Sequence, residues 1–129
     1  MHPSVVVKQT PDKKAIIMAS TGESLTYREL EERSNQGAQL FRKLGLKVGD
    51  VVAIFMENNL RFLEVCWAAQ RAGLYYTCIS SRLTAGEVEY ILRDCGAKAF
   101  VAGHTLAKIA GEVSIPGLNL LMIGGTIPG

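Results

Sequence analysis

The sequence predicts an α/β fold: a parallel sheet with helices on both faces, preceded by a short N-terminal β-hairpin. Short apolar runs alternate along the chain with amphipathic helical patterns, an order typical of parallel strands joined by right-handed crossovers. The runs are continuously apolar, as expected of strands covered on both faces. The chain has 129 residues, the length of one domain, so we expect residues 1–129 to form a single α/β domain.

The hairpin is predicted from two short strand-like segments, residues 15–19 and 23–25, around Ser20-Thr21-Gly22. Serine, threonine and glycine also occur in phosphate-binding loops, but the same residue types are ordinary in hairpin turns. We therefore interpret Ser20-Thr21-Gly22 as a turn.

The pattern Leu-Thr-x-x-Glu occurs twice and predicts two helix starts. Thr26 precedes Glu29 by three residues, and Thr84 precedes Glu87 by the same spacing. In a capping box the threonine hydroxyl accepts from the N–H of the third helical residue, and the glutamate accepts from the threonine N–H. Helix capping explains all four residues, so we prefer it to a functional role for either pair.

Four helices and four strands are predicted after the hairpin. The helices cover residues 27–44, 60–72, 85–95 and 105–111. The strands cover residues 51–56, 75–79, 99–102 and 118–123. The first helix carries the small residues Gly37 and Ala38 on its apolar face, so we expect that face to approach the sheet closely.

The second predicted helix, residues 60–72, is apolar around most of its circumference. Asn58 or Asn59 is the expected N-cap. A helix of this composition is buried on more than one side. We therefore expect it to pack against a part of a larger protein.

Composition argues against several classes of partner. The net charge is +2 and the basic residues are scattered, so neither nucleic acid nor an anionic membrane surface is expected as a partner. The longest strictly apolar run, residues 51–56, is far shorter than a membrane span. Residues 1–14 lack the apolar stretch of a signal peptide. We expect no transmembrane segment and a cytoplasmic protein.

The three cysteines, Cys66, Cys78 and Cys95, form no C-x-x-C pair. Their spacing to His2 and His104 does not match a metal site. We expect three reduced thiols that are mostly buried.

Ligands of open α/β sheets bind at the carboxyl ends of the strands, where four loops are predicted. The loops are Glu57-Asn58-Asn59, Ser80-Ser81-Arg82, Gly103-His104-Thr105 and residues 124–129. Ser80-Ser81-Arg82 offers hydroxyls, a guanidinium and N–H groups, so it is either an anion site or a polar surface loop. His104 has no carboxylate close in sequence to support a general-base role. No glycine-rich nucleotide motif or nucleophile elbow is present.

Five segments occur in a fixed order over residues 15–103. They are TYREL at 26–30, LGLKVGDVVAI at 44–54, NNLRFLE at 58–64, SSRLT at 80–84 and EVEYILRDCGAK at 87–98. Together they resemble the N-terminal portion of AMP-forming acyl-CoA synthetases, of the fatty-acid–CoA ligase type, within the adenylate-forming superfamily. Ser80 departs from the family pattern, which usually has asparagine there.

The resemblance implies an intact enzyme that converts a carboxylic or fatty acid, ATP and CoA to acyl-CoA, AMP and pyrophosphate through an acyl-adenylate, with Mg²⁺. The family's phosphate-binding loop, adenosine-binding motifs and catalytic lysine match no position in residues 1–129. We therefore assign no catalytic, cofactor-binding or metal-binding residue. The chain alone is expected to be inactive and to bind none of these cofactors tightly. Its expected partner is the remainder of the synthetase large domain.

Two alternatives belong to other functional classes. The chain could be a stand-alone α/β module that binds a nucleotide or CoA at Ser80-Ser81-Arg82. It could also be a structural domain that self-associates through uncovered apolar surface.

Overall fold

The computed structural model describes residues 2–125 of the chain. Its helices are α1 (Pro3–Val6), α2 (Tyr27–Lys43), α3 (Phe62–Arg71), α4 (Ala85–Asp94) and α5 (Ala107–Glu112). Its strands are β1 (Lys14–Ile17), β2 (Ser24–Thr26), β3 (Val51–Phe55), β4 (Tyr75–Cys78), β5 (Ala97–Gly103) and β6 (Asn119–Ile123). A short 3₁₀ turn, His104–Leu106, leads into α5.

The predicted fold class is confirmed. Strands β3 to β6 form a four-stranded sheet in the order β4-β3-β5-β6, and every neighbouring pair is parallel. β1 and β2 form a separate antiparallel hairpin. Each of α3, α4 and α5 connects two consecutive strands of the parallel sheet, which is the crossover arrangement that the alternating pattern predicts.

Successive side chains of a strand point to opposite faces, and the central strands β3 and β5 are buried on both faces. The edge strand β4, predicted to be covered on both faces, is instead largely exposed. One face carries α2 and α3, and its core includes Phe41, Ile54, Cys66, Ala69 and Val101. The other face carries α4 and α5, and its core includes Phe55, Val88, Leu92, Phe100 and Ala110. β3 divides its side chains between the two cores, which is why its sequence is continuously apolar.

Both capping boxes form as predicted. The Glu29 N–H donates to Thr26 Oγ1 at 3.2 Å, and the Thr26 N–H donates to Glu29 Oε2 at 2.8 Å. At the start of α4, the Thr84 N–H and hydroxyl both donate to Glu87 Oε2 at 2.8 Å. The repeated motif therefore fixes the first turns of α2 and α4.

The expectation for the start of α3 is wrong. The helix begins at Phe62 with Arg61 at the N-cap position, and no side chain caps it. Asn59 instead caps the turn before the helix: its Oδ1 accepts from the Arg61 N–H at 2.8 Å, and its Nδ2 donates to the Glu57 carbonyl at 3.0 Å. An asparagine side chain stabilises such a local turn as readily as a helix start.

The two small residues of α2 meet different neighbours: Ala38 lies in the core that α2 shares with the sheet, whereas Gly37 meets α3. A Cβ placed on Gly37 would lie 2.7 Å from Ala68 Cβ, so the small residue brings α2 against α3 rather than against the sheet. The pattern of small residues marks a face that comes close to a neighbour, but it does not say whether that neighbour is a strand or a helix.

The N-terminal helix α1 does not follow from the sequence patterns. The His2 ring meets the Trp67 ring edge-on at a centroid distance of 4.8 Å, and His2 Nδ1 accepts from the Ser4 N–H at 3.2 Å. This N-terminal segment covers part of α3, the helix expected to need a second partner, while Leu63 of α3 stays 43% exposed. Within residues 2–125, no helix is long and apolar enough to cross a bilayer.

Candidate functional site

The carboxyl ends of the four parallel strands lie side by side at one edge of the sheet. The loop at residues 80–82 therefore neighbours the loop at 57–59, which in turn neighbours the loop at 103–105. The fourth loop begins at Gly124, and its residues 126–129 lie outside the described residues. The topology thus groups the predicted loops along one rim, where ligands of open α/β sheets bind.

Three N–H groups at the end of the loop after β4 and just beyond it, those of residues 82–84, are already engaged. The Arg82 N–H donates to Ser80 Oγ at 3.4 Å, the Leu83 N–H donates to the Ser80 carbonyl at 3.2 Å, and the Thr84 N–H is held by Glu87. An anion at a helix start needs such N–H groups free. The arrangement favours the polar surface loop over the anion site at Ser80-Ser81-Arg82.

His104 lies beside the glycine loop that follows β6. A Cβ placed on Gly125 would lie 2.7 Å from His104 Nε2, and one placed on Gly124 would lie 3.8 Å from His104 Cβ. Glycine allows this approach because it carries no side chain. The structure thus brings the third and fourth loops together. The imidazole is exposed, and we assign it no role beyond this packing.

A groove of about 320 Å³ lies between α2, α3 and β6. Its walls are mostly apolar and include Leu40, Phe41, Val65, Val101, Leu121 and Ile123. Arg33, Arg61 and Glu64 also line it. Leu40 remains 43% exposed on this surface. The groove is therefore mostly apolar and lies against β6. The charged side chains of Arg33, Arg61 and Glu64 line part of its wall.

Glu64 is a buried carboxylate on the wall of this groove, only 4% exposed. Arg33 of α2 donates through Nη1 to its Oε1 at 3.0 Å. Arg61, at the start of α3, donates through Nε to its Oε2. Both arginine side chains stay about half exposed, at 42% and 50%. A buried charge needs partners, and both arginines supply them. The Arg33 contact joins α2 to α3 at this position, whereas the Arg61 contact lies within the first turn of α3.

A second polar network joins the same two helices. Arg71 of α3 donates to the Glu31 carboxylate, to Ser34 Oγ at 2.9 Å and to Asn35 Oδ1 at 3.2 Å. Ser34 is fully buried, and its hydroxyl donates to the Glu31 carbonyl at 3.1 Å. In the described part of the chain, every buried side-chain nitrogen or oxygen has a hydrogen-bond partner.

Sequence reasoning missed both networks. Glu64 stands alone among the apolar residues of α3, and that isolation is the one available signal of a buried, paired carboxylate. Ser34 lies in α2, and its partner Arg71 lies 37 positions away along the chain. Local spacing cannot reveal such a contact.

A scan against protein-family models matches residues 4–123 to the AMP-binding family, described as "AMP-binding enzyme". Among curated proteins, the human "Long-chain fatty acid transport protein 1" is 36% identical over 109 residues, covering 84% of this chain and 17% of the relative. The "Long-chain-fatty-acid--CoA ligase" of Escherichia coli is 35% identical over 123 residues, covering 92% of this chain and 22% of the relative. The chain therefore spans about a fifth of the length of these relatives.

Solved structures give the same picture of the fold. A putative long-chain-fatty-acid CoA ligase from Rhodopseudomonas palustris superposes with a TM-score of 0.88 at 26% identity, covering 98% of this chain and 32% of that one. A Mycobacterium tuberculosis fatty acyl CoA synthetase gives a TM-score of 0.83 at 26% identity, covering 94% and 25%.

The resemblance seen in the five sequence segments thus extends over the sheet, its helices and nearly the whole described chain. The match falls on the N-terminal region of AMP-forming acyl-CoA ligases. This chain belongs to the AMP-binding enzyme family.

Proposed function

We propose that the chain serves as the N-terminal part of an AMP-forming acyl-CoA ligase that activates a fatty acid in the cytoplasm. The observation that carries this proposal is the family match over residues 4–123 together with the shared fold. In the proposed reaction, ATP and the carboxylic acid give an acyl-adenylate and pyrophosphate, and the CoA thiol then displaces AMP. Residues 1–129 act in it as one structural domain.

The chain's own contribution is a scaffold. The described residues 2–125 contain no group of three or more His, Cys, Asp or Glu side chains able to hold a metal ion. The N–H groups of residues 82–84 after β4 are engaged by Ser80 and Glu87. We place ATP, Mg²⁺ and CoA on the remainder of the ligase, and assign no catalytic, cofactor-binding or metal-binding residue to this chain.

The groove between α2, α3 and β6 is where that remainder would pack. Its apolar wall includes the half-exposed Leu40 and extends over β6, an edge strand of the described sheet. Exposed apolar surface of this kind is typical of a protein interface. Arg33 and Arg61 bring two positive charges against the single negative charge of Glu64, so an apolar segment with an acidic residue at its end suits the groove.

Two assays test the proposal. First, the free 129-residue chain is incubated with ATP, Mg²⁺, CoA and a long-chain fatty acid, and pyrophosphate release is measured. We expect no release above a control without protein. Second, residues 4–123 replace the matched segment of the E. coli long-chain-fatty-acid–CoA ligase, to which the chain is 35% identical. We expect this chimera to form acyl-CoA. Turnover by the free chain would contradict the proposal, and so would a folded chimera without activity.

The stand-alone binding module is tested separately. Titration calorimetry with ATP and with CoA should detect no micromolar binding by the free chain. Binding that is lost in Arg82→Ala would favour the module instead. Light scattering distinguishes a monomer from the self-associating structural domain.

A further inference from the structure

Cys66 and Cys78 lie on the same face of the sheet, on adjacent elements. In β3, Ile54 belongs to the core that α3 covers, and Cys66 of α3 belongs to the same core. Cys78 pairs with Ile54 in the register of β3 and β4. The following residue, Ile79, belongs to the core of the opposite face. Since side chains alternate along a strand, Cys78 faces α3 and Cys66.

The two thiols differ in exposure. Cys66 is 6% exposed, whereas Cys78 lies on an edge strand of the described sheet and is exposed. Burial, and then the neighbouring Cys78 thiol, raise the pKa of Cys66 to about 12. Cys66 is too buried to meet a disulfide in solution, so a reaction with one has to begin at Cys78.

We propose that Cys66 and Cys78 form a thiol–disulfide exchange site, in which the exposed Cys78 reacts first with a small disulfide and the buried Cys66 resolves the product. The Cys78 thiolate attacks one sulfur of oxidised glutathione and releases one glutathione thiol. Cys66 then loses its proton to water and attacks the Cys78 sulfur, releasing the second glutathione. Two protein thiols are oxidised and one disulfide is reduced to two thiols.

The resulting Cys66–Cys78 disulfide links α3 covalently to β4 of the same chain. The two sulfurs must approach to about 2.05 Å, and the exposed Cys78 side chain on its edge strand can rotate toward α3. Both thiols stay reduced under ordinary cytosolic conditions. The Cys66–Cys78 disulfide forms only when the concentration of oxidised glutathione rises. This inference does not depend on the proposed ligase function, since it rests on residues of the described fold alone.

The test uses the full 129-residue chain and oxidised glutathione as the probe. After incubation under native conditions and alkylation of free thiols, peptide mapping by mass spectrometry should find one intramolecular Cys66–Cys78 link and an alkylated Cys95. In the Cys66→Ser variant, the reaction should stop at the mixed disulfide between glutathione and Cys78. Cys78→Ser should form no link, and Cys95→Ser should behave like the parent chain. Thermal unfolding of each reduced variant verifies that it is folded before oxidation.

Several results would overturn the proposal. One is that the parent chain forms the mixed disulfide between glutathione and Cys78 but no Cys66–Cys78 link. Others are a link that joins Cys78 to Cys95 or to a second copy, and a link that appears only when urea unfolds the chain. If the site is correct, the oxidised parent also unfolds at a higher temperature than the reduced parent, and oxidation produces no such shift in Cys66→Ser.

Discussion

Gly37 of α2 and Ala68 of α3 meet so closely that a Cβ on Gly37 would lie 2.7 Å from Ala68 Cβ. Real Cβ atoms do not approach each other this closely, so the absence of a side chain at Gly37 sets the distance between the two helices. The Arg33–Glu64 and Arg71–Ser34 contacts on either side of it depend on that distance. The glycine therefore controls the packing of the helix pair that carries the groove.

Gly37→Ala should destabilise the chain, because the added methyl must push α2 and α3 apart. We expect a loss of about 1–3 kcal/mol in the free energy of unfolding, typical of overpacking. Gly86→Ala is the matched control: Gly86 lies in α4 with no atom within 4 Å of an added Cβ. There the better helix propensity of alanine should stabilise by up to about 1 kcal/mol. Urea unfolding of both variants measures the difference, and equal effects would contradict the close approach.

Glu64→Gln should also destabilise, because it removes the buried charge that Arg33 and Arg61 share. Breaking a fully buried ion pair costs about 3–5 kcal/mol. Both arginines here are about half exposed and can rehydrate, so we expect a smaller loss of about 1–3 kcal/mol. Glu32→Gln, an exposed site on α2, should change stability by less than about 0.5 kcal/mol. A Glu64→Gln variant as stable as the parent would show that the network is dispensable.

The capping boxes should contribute a pH-dependent part of the stability. The N–H and then the hydroxyl of Thr26 lower the pKa of Glu29, and those of Thr84 lower the pKa of Glu87, from the ordinary value of 4.5. A carboxyl whose pKa is lowered by folding stabilises the fold above its ordinary pKa. It loses this contribution as the pH falls through the lowered value.

The double variant Glu29→Gln/Glu87→Gln should therefore be less stable than the parent at pH 7. The difference should shrink as the pH falls below the ordinary pKa of 4.5 and through the lowered pKa values of the two carboxyls. Urea unfolding across this pH range measures it. A difference that stays constant as the pH falls would contradict the assignment of the effect to the two carboxylates.

A substitution at Leu40 tests whether the rest of the ligase packs against the groove between α2, α3 and β6. In the free chain, Leu40→Gln changes an exposed side chain, so we expect a loss of less than about 1 kcal/mol. In the chimera, the same change would bury an amide against apolar neighbours, so acyl-CoA formation or thermal stability should fall markedly. Val48→Gln, at a position 84% exposed, should leave both proteins unchanged. Equal tolerance of the two substitutions in the chimera would exclude the groove as the contact surface.

The sequence predicted the sheet, its helices and both capping boxes, because these features depend on local patterns. Thr26 and Glu29, for instance, lie three residues apart, and the apolar runs of β3 to β6 are continuous. The α2–α3 contacts could not be found in this way. Arg33 meets Glu64 across 31 positions and Arg71 meets Ser34 across 37, and only the folded chain brings such residues together. Asn59 misled the prediction because the same amide can cap a turn or a helix.

Acyl-CoA formation by the chimera, measured beside the free chain with ATP, Mg²⁺, CoA and a long-chain fatty acid, tests the scaffold role most directly. A scaffold that positions the catalytic parts of the ligase should support activity only in the chimera, and the free chain should release no pyrophosphate. Pyrophosphate release by the free chain, or a correctly folded chimera that forms no acyl-CoA, would contradict that role.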